Sequence, residues 1–114
     1  YIIPLIAPTS QERIRKITEN AKGFVYCIST NGVTGIRNDI STDIAEYMHT
    51  IGLYTDTPKI LGFGISGAEM VKKYKSLCDG IIVGSALIKK IAEASNREES
   101  IKAAVQMVSE MKNV

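Results

Sequence analysis

The chain has 114 residues, with 14 Lys and Arg against 12 Asp and Glu, so its formal net charge is +2. It is 45% hydrophobic and 23% charged, a globular mix that excludes a disordered tail, a collagen-like repeat and a disulfide scaffold. No apolar run approaches the ~20 residues of a membrane-spanning helix, no secretory leader pattern is read, and a mildly basic chain falls short of a nucleic-acid footprint.

The chain opens on the apolar run Tyr1-Ile2-Ile3-Pro4-Leu5-Ile6. A strand that begins at the first residue is read as part of a longer chain. Strands are expected at residues 2–7, 24–29, 59–63 and 80–83. Their nearly continuous apolar character is the pattern of strands covered on both faces. Between them lie segments with helical spacing. Residues 10–21 place Ile14, Ile17 and Ala21 on one face, with Thr9 or Ser10 as cap. Residues 41–51 turn Ile44, Ala45, Met48 and Ile51 inward and stop at Gly52. A third helix begins at Ser66, with Met70, Val71, Tyr74 and Leu77 inward and Lys72, Lys73 and Lys75 outward.

Two helices follow the last strand, at residues 86–94 and 97–112. The second carries Ile101, Ala104, Val105, Val108 and Met111 in a stripe expected to pack on a sheet. The order β-α-β-α-β-α-β-α-α makes an α/β protein, one unit over residues 1–114 with four parallel strands. Periodicity alone leaves two architectures open: an open doubly wound sheet, or part of a closed eight-stranded barrel of ~250 residues.

In either architecture ligands meet the carboxyl ends of the strands. Five of the nine glycines fall there: Gly32, Gly35, Gly62, Gly64 and Gly84. Glycine lets backbone N–H groups approach an oxyanion, and the start of a following helix adds partial positive charge. Gly84-Ser85-Ala86-Leu87 opens a helix directly after the last strand. Gly84 and Ser85, with Gly64 and Gly35, therefore form a candidate phosphate cradle, and Tyr26 in the second strand is a candidate pocket wall.

The strand ends offer no general acid or base. Asp39 and Asp43 stand near a helix start, Asp79 precedes the last strand on the side away from the cradle, and His49 lies within a helix. No nucleophile triad or metal-ligand grouping can be assembled. Cys27 and Cys78 are read as buried, reduced thiols in a reducing, cytoplasmic setting.

The segments Pro4-Leu5-Ile6-Ala7-Pro8-Thr9-Ser10, Gly23-Phe24-Val25-Tyr26-Cys27-Ile28-Ser29, Asn31-Gly32-Val33-Thr34-Gly35, Gly62-Phe63-Gly64-Ile65-Ser66 and Asp79-Gly80-Ile81-Ile82-Val83-Gly84-Ser85-Ala86 resemble the C-terminal half of the tryptophan synthase alpha chain family. The resemblance runs nearly end to end. It implies half of a TIM (β/α)8 barrel, the four strands being barrel strands five to eight. It implies retro-aldol cleavage of indole-3-glycerol phosphate to indole and glyceraldehyde 3-phosphate, without a cofactor, in a heterotetramer with a pyridoxal-phosphate beta subunit. On the resemblance, Gly35, Gly64, Gly84 and Ser85 bind the substrate phosphate. Tyr26, Gly62, Phe63 and Ile82 line the pocket, and Thr34 lies on a mobile loop over residues 30–43.

The acid/base glutamate and aspartate of the family fall outside this chain, so the 114 residues alone are expected to be inactive. The other readings are a non-catalytic phosphate-binding or structural half-barrel, and half of another phosphate-binding barrel enzyme. Tyr26 and the loop at residues 31–35 disfavour the last. Uncovered edges and an uncovered inner face predict self-association, or a complementary half outside the chain.

Overall fold

A computed structural model of the chain describes residues 1–28, 44–62 and 64–114. The elements run β1 (Leu5–Ile6), α1 (Gln11–Thr18), β2 (Val25–Ile28), α2 (Ile44–Gly52), β3 (Lys59–Gly62), α3 (Ala68–Tyr74), β4 (Gly80–Ile81), α4 (Ser85–Ala92) and α5 (Arg97–Lys112). The strands form one sheet in the order β1-β2-β3-β4, every neighbour parallel. The expected alternation is therefore present, with four parallel strands and flanking helices.

Local chemistry sets the helix ends. Ser10 caps α1, its hydroxyl accepting from the Arg13 amide at 3.4 Å. Asn96 caps α5, with Oδ1 accepting from the Glu99 amide at 3.0 Å and the Glu99 carboxylate reaching back to the Ser95 amide at 3.1 Å. This reciprocal pair satisfies two donors that a helix start otherwise leaves open. The first helix is shorter than its periodicity because Thr18 bonds back to the carbonyls of Ile14 and Arg15, and the chain turns there. The third helix starts at Ala68 rather than Ser66, with extended Gly67 as its cap.

The two faces of the sheet differ. Ile6, Val25, Cys27 and Leu61 are fully buried against Ile14 of α1, Met48 and Ile51 of α2 and Val71 of α3. The alternate residues of the same strands point the other way. Of these, Leu5 and Ile82 are exposed, while Tyr26, Ile28 and Ile60 are half-buried. The strands are thus apolar on both faces but fully covered on one, which departs from the two-sided cover that their apolar runs alone suggest and fits the open inner face expected of a half-barrel.

The α5 stripe is a correction. Met107 is the buried residue of that helix, whereas Ile101, Val105 and Val108 are exposed. The same apolar periodicity serves two flanks, and one of them has no sheet beneath it. In α2, likewise, Tyr47 is buried where Ala45 was expected.

Candidate functional site

The register aligns the strand ends. Ile60 pairs with Gly80 and Leu61 with Ile81, and β3 and β4 end at Gly62 and Ile81, so Gly62, Gly64, Ile82 and Gly84 all fall at or just beyond the carboxyl ends of adjacent parallel strands. All four belong to the carboxyl rim. Gly64 has φ +76° and is exposed, a backbone conformation that a side chain strains although there is room for one. Gly84 has neither a positive φ nor a crowded surrounding. What its missing side chain leaves open is the approach to the start of α4.

That start is suited to an anion. The amides of Leu87 and Ile88 bond back to the Gly84 carbonyl at 2.9 and 3.1 Å, no side chain caps the helix, and its first turn holds no acidic residue. The first-turn amides of Ser85 and Ala86 have no acceptor within the helix, at the positive end of its dipole, and Ser85 is exposed. Among the described residues, the strand-end loops carry no Asp, Glu, His or Lys, and no group of His, Cys, Asp and Glu could hold a metal.

Tyr26 and Gly62 are brought into contact on the sheet face away from the helices. A Cβ built on Gly62 would fall 2.6 Å from Cζ of Tyr26, so the ring lies across the glycine and walls the ground beneath the rim. Ile82 joins this face at the far edge. Gly35, Thr34 and Phe63 lie outside the described residues, so the ring of three loops is described only at Gly64 and at Gly84-Ser85.

Sequence reasoning missed Tyr47. Its hydroxyl donates to the Ile6 carbonyl at 2.8 Å across a buried contact, tying α2 to the carboxyl end of β1. Burial also pushes the Tyr47 phenol well above its ordinary range. An aromatic on a helical face reads as core, and nothing local marks its polar end. Asp79, by contrast, is on the opposite rim as expected, where its carboxylate accepts from the Lys59 amide at 2.8 Å. His49 is exposed in the last turn of α2. Cys27 and Cys78 are free; burial pushes the Cys27 thiol up to about 12 and raises that of Cys78, so neither is a ready nucleophile.

Comparisons with known proteins agree on one family. The family model described as tryptophan synthase alpha chain matches residues 1–114. A tryptophan synthase alpha chain of Thermoanaerobacter sp. (strain X514) is 59% identical over 114 residues, covering 100% of this chain and 44% of the relative. That of Clostridium kluyveri is 50% identical over 112 residues, with 98% and 43% covered.

Among solved structures, tryptophan synthase subunit alpha from Campylobacter jejuni superposes with a TM-score of 0.76 at 29% identity, covering 93% of this chain and 43% of its own. A chain of the tryptophan synthase α2β2 complex from Pyrococcus furiosus gives 0.75 at 31% identity, with 96% and 44% covered. The chain thus spans less than half the length of these relatives and corresponds to a half-barrel piece of their fold. It belongs to the tryptophan synthase alpha chain family.

Proposed function

We propose that this chain supplies the phosphate-binding half of a lyase that cleaves indole-3-glycerol phosphate to indole and glyceraldehyde 3-phosphate. The observation that carries the reading is the uncapped start of α4 on the same carboxyl rim as Gly64, a rim free of carboxylates among the described residues, in a chain of this family. First-turn amides and a serine hydroxyl hold a phosphate by charge-assisted hydrogen bonds, and the helix dipole adds to the attraction. Glycine at 64 keeps side-chain bulk away from the anion. Tyr26, whose phenol end lies over Gly62, gives the indole end an aromatic wall.

Holding the phosphate positions the substrate without breaking its bond. Cleavage needs a proton delivered to the indole ring and another removed from the glycerol hydroxyl. We assign both tasks to the part of the family's length that this chain does not span, with no cofactor required. The 114 residues alone then release no indole above a protein-free control. The α2β2 assembly named for the Pyrococcus furiosus relative supports a beta subunit as the partner that receives indole, and the setting is the cytoplasm. Among the described residues no helix is long and apolar enough to cross a membrane.

Calorimetric titration with glycerol 3-phosphate tests the reading on the chain itself. Saturable binding that weakens at least about tenfold in Gly64→Asp, where a carboxylate faces the anion, is the expected result. Equal affinity in both proteins removes the cradle.

A further inference from the structure

We propose that Ile60 is a specificity-determining residue for the aromatic end of the substrate, and that Gly80 is the seat that keeps its side chain out of the ring's way. The inference rests on the lyase reading and deepens it, at a pair of residues that belongs neither to the rim nor to the Tyr26 wall.

The register places both residues. Leu5, Tyr26, Ile60 and Gly80 are Cα partners in one row across the sheet, and their side-chain positions share one face. Gly62 stands on that face two residues beyond Ile60, about 7 Å nearer the carboxyl rim. Ile60 is therefore the side chain next below the glycine that the Tyr26 phenol covers, and it is the in-register neighbour of Tyr26 on β3. A ring held against Tyr26 beneath the rim meets Ile60 next.

The following strand decides which way Ile60 turns. A Cβ built on Gly80 would fall 2.8 Å from Cδ1 of Ile60 and 4.0 Å from its Cγ2, so the long branch of Ile60 lies over Gly80, toward β4 and away from β2. The two large side chains repeat one device. Tyr26 of β2 leans over Gly62 of β3, and Ile60 of β3 leans over Gly80 of β4. The glycine at 80 answers to this contact and not to its own backbone, because positive φ among the described glycines is confined to Gly23 and Gly64. With Cδ1 parked over Gly80, Ile60 leaves free the space beside Tyr26 that a branch turned the other way would fill.

A hydrophobic pocket selects ring size through contacts of this kind, one methylene changing the preference by about 10–200-fold. An alanine at 80 turns the Cδ1 methyl back toward Tyr26 and narrows the space. An alanine at 60 deepens it.

Fluorescence titration with indole, and with indoles methylated around the six-membered ring, tests the proposal in the presence of glycerol 3-phosphate. The chain has no tryptophan, so indole emission comes from the ligand alone. In Ile60→Ala at least one methylindole is expected to gain about tenfold or more in affinity relative to indole. In Gly80→Ala the methylindoles are expected to lose by a similar factor, and adding Ile60→Val, which lacks Cδ1, restores the original preference. The atom that Gly80→Ala displaces is the flexible end of a side chain, so this variant is expected to keep its circular dichroism. Ratios within about twofold of the unsubstituted chain in both single variants overturn the proposal. So does a chain that binds glycerol 3-phosphate but no indole. A chain that binds no glycerol 3-phosphate overturns the lyase reading and this inference with it, whereas bound glycerol 3-phosphate with unmoved ratios overturns the inference alone.

Discussion

At the amino rim of the sheet the Asp79 carboxylate accepts the Lys59 amide at 2.8 Å and lies 3.7 Å from the Lys59 ammonium, while the Asp79 amide donates to the Lys59 carbonyl at 2.9 Å. At the carboxyl rim, Gly64 stands in the left-handed region and α4 begins without a side-chain cap. One end clamps β3 to β4 with its own side chains. The other leaves donors open where a ligand can reach them. Parallel α/β proteins divide labour in this way, with stability at the bottom and chemistry at the top. On the proposed reading the same two strands carry both halves of the division within a few residues.

Substitutions at the two rims are expected to separate stability from binding. The largest stability effect belongs to Gly62→Val, because the Tyr26 ring occupies the place of the new side chain. A loss of about 1–3 kcal/mol is expected from such overpacking, read as a lower urea midpoint. Tyr26→Ala combined with it should recover part of that loss, and strictly additive losses contradict the contact.

Asp79→Ala comes next. It removes the acceptor for the Lys59 amide and is expected to cost about 1 kcal/mol while leaving phosphate affinity unchanged. Lost phosphate binding with full stability would reverse the assignment of the two rims. Tyr47→Phe should cost about 1 kcal/mol by deleting the bond to the Ile6 carbonyl, measured by the same denaturation.

The last effect is one of pH, slight near neutrality and growing only as the solution turns alkaline. The Cys27 thiol is held neutral by burial up to about 12, against an ordinary 9.0. The folded chain therefore binds more protons than the unfolded one in that interval, and its stability falls as pH rises from about 9 towards 12. Cys27→Ala should flatten this alkaline slope. An unchanged slope contradicts the burial of the thiol.

Much of the architecture was legible in the letters, for reasons that particular residues show. The α5 boundaries follow from Asn96 and the Glu99 that reaches back past it, and the strand order from helical segments alternating with apolar runs. The strands themselves came out shorter than their apolar runs. Two residues of β1 and two of β4 are paired in ladder, because each has a neighbour on one side only. Hydrophobic letters report that a face is meant to be covered, and the exposed Ile101, Val105 and Val108 show that they do not report by what.

The rim glycines were legible as a set from the ends of the apolar runs, and of them Gly62 closes β3 while Gly64 and Gly84 follow the strands. Gly35, Thr34 and Phe63 fall outside the described residues. The Tyr47 tether was not legible at all, since its partner carbonyl lies 41 positions away in sequence.

The central claim, that the carboxyl rim holds a phosphate through backbone donors, is tested most directly by amide nuclear magnetic resonance of the chain titrated with glycerol 3-phosphate. The account predicts saturable shifts concentrated at Gly64, Ser85 and Ala86, with the amides of Lys59 and Asp79 at the other rim unmoved. Shifts spread over the surface lysines of α3 and α4, with those three amides silent, would contradict it.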